Sequence, residues 1–260
     1  METSTLTKPR NLPALPDRDA RPYVVLSCAV SLDGYLDDAT ARRLILSNDE
    51  DWDRVDALRA WADAILVGAG TLRADNPRLR VRSAARQADR VSALRPATPL
   101  RVVVSSGGAL DPTMAFFDGA AGDSLVYTDG GAVRGARELL GSSASVVEAG
   151  TPLDLRAVLA DLAARGVDRL VVEGGGTVHT QFLAEGLADE LQLVTAPFFV
   201  GDPRAPRFVG PGRFANDPGH PLRLAETRAI GDLIYARYLT DPLGSPTTPE
   251  RPQGRTQERG

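Results

Sequence analysis

Two short apolar runs that end in clustered glycines constrain this chain more than any other feature of it. Ala64–Val67 runs into Gly68-Ala69-Gly70, and Arg169–Val172 runs into Glu173-Gly174-Gly175-Gly176-Thr177. A short apolar run bounded by glycine reads as a buried strand entering a tight turn, because a strand covered on both faces shows no polar alternation. After the first turn come Thr71, Asp75, Asn76 and Pro77, then Arg78, Arg80 and Arg82. Alternate residues of an extended segment project to one side, and guanidinium forks suit phosphate oxygens. The second turn sets three glycines between a strand and a helix. Backbone without Cβ atoms can approach a pyrophosphate there, and the helix N-terminus favours its charge. A strand–helix turn with no ligand needs only one glycine. Two such turns predict a nucleotide-type site between them.

The remaining pattern alternates strands with helices. Tyr23–Val30 reads as a strand interrupted by Ser27, and Ser31-Leu32-Asp33-Gly34 as the turn after it. Asp49–Trp61 carries Trp52, Val55, Leu58 and Trp61 at helical spacing, with Ser47 or Asn48 as N-cap. Strands follow at Leu100–Val104, Ser124–Tyr127, Ala144–Val147 and Glu190–Ala196, and helices at Val133–Leu140, Asp154–Ala164 and Thr177–Ala184. Residues 83–98, polar and alanine-rich, read as a linker or exposed loop. Leu222–Thr227 and Leu233–Leu239 read as strands, the second alternating as an antiparallel edge does. The expected fold is α/β, with a central mostly parallel sheet and an antiparallel C-terminal strand pair. We expect a single domain over residues 21–240, a flexible lead at 1–20 and a disordered tail at 241–260.

Absences narrow the chemistry. Cys28 is the only cysteine, His179 and His220 are the only histidines, and Lys8 is the only lysine. That pattern argues against a zinc site, a Walker-type phosphate loop and a lysine Schiff base. No G-x-S-x-G elbow is present. Gly68-Ala69-Gly70 opens a dinucleotide fingerprint, but Arg73 stands where its third glycine belongs. The net charge of −4 and the lack of a long apolar run point away from nucleic acid and membranes, and a cytoplasmic protein with no metal is expected. Glu173, at a strand's C-terminal end, is placed to accept hydrogen bonds from an aminopyrimidine or pterin ring, or is a solvated carboxylate. Asp33 fits a structural turn, His179 an exposed polar position, Cys28 a small buried one, and Trp52 and Trp61 core or rim packing.

Taken in order, Ser31-Leu32-Asp33-Gly34, the run Gly70–Arg82 (GTLRADNPRLRVR), Glu173–Thr177 (EGGGT), Glu185–Glu190 (EGLADE) and Ala196–Gly201 (APFFVG) resemble one family over about residues 22–240. It is the pyrimidine reductase of riboflavin biosynthesis, the C-terminal half of the bacterial bifunctional deaminase–reductase and free-standing in archaea and fungi. The resemblance implies a dihydrofolate-reductase-like three-layer fold and a homodimer. It also implies NADPH-dependent reduction of the ribosyl side chain of an aminopyrimidine 5′-phosphate to ribityl. It implies cofactor contacts at Ala29, Thr71, Asp75, Ser106, Gly174, Gly175, Gly176 and Thr177, and substrate contacts at Ser27, Arg59, Leu79, Arg82 and Glu173. Asp75 and Glu173 are the implied catalytic residues. Arg59 and Arg82 would hold the phosphate end, Glu173 the ring or sugar, and Asp75 would orient cofactor and reacting centre.

The chain also departs from the family. Ser27 stands where Lys or Asn is usual, Arg43-Leu44-Ile45 replaces a serine pattern, and Ser105 stands where Asp is frequent. No zinc deaminase domain precedes the reductase region, so deamination is not expected of it. The departures at Ser27 and Arg43 keep open a reductase of the same fold acting on dihydrofolate, another pterin or a secondary-metabolite precursor. A non-catalytic nucleotide-binding protein would have lost the glycine turn, or Thr71 and Asp75, and has lost neither. Whether the substrate is taken before or after deamination stays open.

Overall fold

The computed structural model describes residues 21–40, 42–119 and 121–240. The lead at 1–20 and the tail at 241–260 lie outside the described residues. The strands are β1 (Tyr23–Ser31), β2 (Ala64–Gly68), β3 (Leu100–Val104), β4 (Ser124–Thr128), β5 (Ser145–Glu148), β6 (Arg169–Val172), β7 (Glu190–Ala196), β8 (Arg223–Ile230) and β9 (Leu233–Leu239). They form one nine-stranded sheet in the order β5-β4-β3-β2-β6-β1-β7-β9-β8. Every pairing from β5 to β7 is parallel, and β7–β9 and β9–β8 are antiparallel. The expected parallel sheet with an antiparallel finish is what the chain forms.

The apolar runs are strands because both their faces are covered. Leu66 and Val172 pack on one side with α5 (Leu155–Ala164) and α6 (Gly176–Ala184), through Leu159, Leu162, Val178 and Phe182. On the other side Ile65, Val67 and Val103 meet Leu72 of α2 (Ala69–Asp75) and Ala136 and Leu140 of α4 (Val133–Leu140). On that same side, Val25 and Val171 meet Leu58 and Trp61 of α1 (Asp49–Trp61). Each fully buried aliphatic side chain of this kind contributes roughly 1.5–3 kcal/mol. Asn48 caps α1 through its side-chain oxygen, which accepts from the Asp51 N–H at 2.9 Å.

The structure corrects three expectations. Residues 83–98 are not simply a linker: Ala84–Ser92 forms helix α3, capped by the Ser83 hydroxyl. Its inward face is arginine rather than leucine, which is why apolar periodicity did not reveal it. Arg90 is buried and donates to the carbonyls of Ala60, Ala62 and Pro96, while Arg86 pairs with Asp53 and Asp56. Arg90 and Arg95 together take up the carbonyls at the C-terminal end of α1, groups that no intrahelical N–H can satisfy. His179 is fully buried rather than exposed. Cys28 is only half-buried.

Candidate active site

Four adjacent parallel strands, in the spatial order β3-β2-β6-β1, bring their C-terminal ends to one edge of the sheet. Ligands of open α/β sheets sit at that edge. The two glycine turns follow neighbouring strands, and they touch. The Gly68 N–H donates to the Gly174 carbonyl at 3.2 Å, and the Glu173 N–H to the Leu66 carbonyl at 3.0 Å. Thr71, in the first turn of α2, lies directly under the second turn: a Cβ on Gly174 would sit 3.2 Å from Thr71 Cγ2, tighter than ordinary side-chain packing. Gly175 takes φ +95°, open to glycine at little cost, and leads into an α6 N-terminus that no side chain caps. The Cβ positions of the three glycines face the fold itself, Thr71 for Gly174 and Gly175 and the Arg207 carbonyl for Gly176, and the α6 N–H groups that no side chain caps fit a pyrophosphate-bearing cofactor.

Beside these turns lies an ion pair. Arg59 Nε donates to Glu173 Oε1 at 2.7 Å and Arg59 Nη2 to Glu173 Oε2 at 2.6 Å, while Arg59 Nη1 reaches the Arg80 carbonyl at 3.2 Å. Both side chains are mostly buried. Burial works against the Arg59 charge, but the Glu173 carboxylate, as charge and as acceptor, and then Asp56 carry its pKa upward. Arg59 and Glu173, assigned from the sequence to different ends of a substrate, are thus partners of each other. A ligand meets them as one unit.

Asp75 closes α2, half-buried, at the other side of Thr71. Burial raises its pKa; Arg43 opposes the rise and Asp37 adds to it. In the sequence Arg43 stands out only as a departure from the family, and Asp37 carries no motif. Asp37 Oδ1 accepts from the Leu44 N–H at 2.9 Å, which holds Asp37 and Leu44 together. A lone aspartate in a polar loop carries no signal that would have announced this.

The arginine run does not form a one-sided ladder. Asn76 and Leu79 adopt left-handed φ of 42° and 47°, which breaks the extended geometry. Arg78 pairs with Asp118 and Arg80 donates to the Asp118 carbonyl, whereas the Arg82 side chain is exposed and makes no ion pair among the described residues. Its N–H is held by Asp56. The Leu79 side chain is buried in the core. Ser27 is buried on β1, Ala29 is half-buried two residues further on, and Ser106 is exposed just past β3. Thr177 is exposed on the first turn of α6. Asp33 has the structural place its turn suggested. Partial desolvation opposes its charge, but hydrogen bonds from the Ser31 hydroxyl and the Val200 and Gly201 N–H groups outweigh it and bring its pKa to about 2.

A three-layer α/β sheet with an antiparallel C-terminal pair and two glycine turns at its parallel edge defines the dihydrofolate-reductase-like class. The chain belongs to the RibD C-terminal domain family, which residues 22–235 match. It is 37% identical, over 72% of its length and 85% of the relative's, to the 2,5-diamino-6-ribosylamino-4(3H)-pyrimidinone 5′-phosphate reductase of Archaeoglobus fulgidus. It is 35% identical to the protein of the same name in Methanothermobacter thermautotrophicus, over 84% of this chain and 98% of that one. In structure it is similar to a pyrimidine reductase-like protein from Corynebacterium diphtheriae, with a TM-score of 0.72 over 85% of this chain and 92% of that one at 24% identity. That last likeness is one of fold.

Proposed function

We propose that this protein is an NADPH-dependent reductase that converts the ribosyl side chain of a diaminopyrimidinone 5′-phosphate to ribityl. The observation that carries this reading is the apposition of Thr71 with the Gly174–Gly175 turn, beside the Arg59–Glu173 pair. It occurs in a chain more than one-third identical to two reductases named for that substrate. Those names also favour reduction before deamination over reduction after it.

NADPH, when bound, supplies the hydride, which the chain's own side chains cannot. Gly174, Gly175 and Gly176 present backbone to its pyrophosphate, with Thr71 and Thr177 supplying hydroxyls and Ser106 and Ala29 flanking. Arg82, the unpaired guanidinium of the run, takes the substrate's 5′-phosphate. The Arg59–Glu173 unit orients the ring and the adjoining sugar. The pair is already formed, so little ordering remains to be done at binding. Asp75, its pKa raised by burial, orients the reacting centre and holds a proton at its carboxyl oxygen more readily than a solvated aspartate. Ser27 and the Leu79 backbone complete the sugar pocket. We further propose a homodimer formed through the outer face of β8 and β9, where Leu224 of β8 and Ile234 of β9 are exposed.

Product analysis tests the reaction. With NADPH and the diamino substrate, the product should gain two hydrogens in its side chain and keep the phosphate and both ring amino groups, as read by mass spectrometry. Loss of the phosphate, or hydrogens added to the ring instead, would contradict the assignment.

A further inference from the structure

Residues 197–222 join β7 to β8 with no helix or strand of their own, a length of connection that compact domains keep mostly for functional segments. The first half of this connection is stitched to the turn after β1. The Val200 N–H donates to Asp33 Oδ1 at 3.1 Å and the Gly201 N–H to Asp33 Oδ2 at 2.8 Å, one to each carboxylate oxygen. The Leu36 N–H then donates to the Pro206 carbonyl at 2.8 Å and the Phe208 N–H to the Gly34 carbonyl at 3.0 Å, so that Tyr35 and Arg207 face each other as an antiparallel bridge. The Arg207 guanidinium lies over the Tyr35 ring, 4.4 Å from its centre, and donates to the Tyr35 hydroxyl at 2.9 Å. A few residues on, the segment is stitched to α6. The Gly210 N–H donates to the Thr180 hydroxyl at 2.8 Å, and that hydroxyl donates to the Gly176 carbonyl at 2.6 Å.

Between those two anchors the segment rests on the third glycine of the motif. A Cβ on Gly176 would collide with the Arg207 carbonyl oxygen, and Gly176 does not have a positive φ, so its lack of a side chain answers to this contact. Phe208 packs on the same helix, its ring 5.4 Å from that of the fully buried His179. The glycine turn is therefore held from both sides, by the Gly68 N–H on its Gly174 carbonyl and by the segment 200–210 on Gly176. Consecutive glycines have more backbone freedom to lose than any other residues. A ligand that needs one conformation of them binds more tightly where the fold has already imposed it. The segment crosses from the β1 turn to the first turn of α6, and β1 and β6 are neighbours in the sheet, so it ties together two adjoining strand ends of the site.

We infer that residues 200–210 form a strap and that its anchors, Asp33 and Thr180, are positioning residues: they hold the strap on Gly176 and so fix the glycine turn against the β1 turn, without reaching a ligand themselves. The inference rests on the cofactor proposed above and gives the glycine turn a support outside its own motif. The test compares the wild type with Asp33→Asn, Thr180→Val and Thr180→Ser. It reads the dissociation constant of NADPH by calorimetry, KM for the pyrimidine at saturating NADPH, and modification of histidine by diethyl pyrocarbonate, located by peptide mass spectrometry. His220 is exposed and reacts in every form, whereas the buried His179 reacts only where the strap has lifted. Asp33→Asn leaves one oxygen for two N–H groups, and Thr180→Val removes the hydroxyl at nearly constant volume. Each should open His179 to the reagent and weaken NADPH about tenfold, with KM changed by no more than about twofold. Thr180→Ser should restore the wild-type readings. A purely structural role would lower the melting temperature without separating NADPH from the pyrimidine. His179 protected in both Asp33→Asn and Thr180→Val, NADPH affinity unchanged once His179 reacts, or equal losses of both ligands overturns the inference and leaves the proposed function standing. A wild type that binds no NADPH overturns both. The two anchors lie on different elements, so a variant that fails to fold leaves the other to decide.

Discussion

At the scale of single residues, the proposed substrate contact rests on the Arg59–Glu173 pair. Glu173 spends both carboxylate oxygens on one guanidinium, so its contribution is to fix a geometry as much as to carry charge. Glu173→Gln keeps the shape and one acceptor but removes the charge. We expect KM for the pyrimidine to rise about tenfold or more, a loss of roughly 1.4 kcal/mol or greater, with the dissociation constant for NADPH changed by no more than about twofold. Equal losses of both would remove Glu173 from the substrate side. His179 acts on stability instead. It is fully buried with no hydrogen bond of good geometry at either ring nitrogen, and burial, only partly offset by the polar Val172 backbone nearby, brings its pKa from 6.5 to about 4. Between those values the unfolded chain binds a proton that the folded chain refuses. Stability conferred by the neutral ring is therefore complete above about pH 6.5, falls as the pH drops, and levels off below about pH 4. The loss is on the order of 3 kcal/mol. Urea unfolding at several pH values should show this slope in the wild type and a shallower one in His179→Phe; equal slopes would locate the acid sensitivity elsewhere.

At the scale of elements, what was legible in the sequence follows from what holds each element in place. The strands at Ala64–Val67 and Arg169–Val172 and helix α5 are held by aliphatic burial, which leaves a periodic trace in the residue order. Helix α3 is held by arginines that cap α1 and pair with its aspartates, and such contacts leave no period. His179 was misplaced for a related reason: a polar residue at an inward position of α6 is indistinguishable by type from an outward one. The two glycine turns were legible as motifs, but their mutual contact depends on β2 and β6 being neighbours, and a crossover that brings the second and sixth strands together is invisible to spacing. Asp37 and the Arg59–Glu173 pairing were hidden in the same way. The element account predicts that Arg90→Ala, which removes three hydrogen bonds from a buried guanidinium, costs about 3 kcal/mol and roughly 10 °C in melting temperature. A drop of only a degree or two would mean that α3 is held by something other than its arginines.

At the scale of the whole molecule, the parallel and antiparallel parts of the sheet serve different ends. The parallel strands align their C-terminal ends, and the glycine turns, Glu173 and Ser106 follow directly from them. The antiparallel strands β8 and β9 contribute no residue to that edge and instead show apolar side chains, Ile234 and Leu224, on an exposed face. Burial of that face between two copies predicts a dimer, and Ile234→Arg should shift the sedimentation of the purified protein from dimer to monomer; a dimer that survives the charge would use another surface. The measurement that bears most directly on the central claim is NADPH oxidation by the purified protein, followed at its absorbance band. The diaminopyrimidinone ribosyl phosphate, its deaminated counterpart and dihydrofolate would be offered separately. The account predicts turnover of the diamino compound, with the deaminated one slower and dihydrofolate inert. Turnover of dihydrofolate alone would contradict it and assign the same site to another ring.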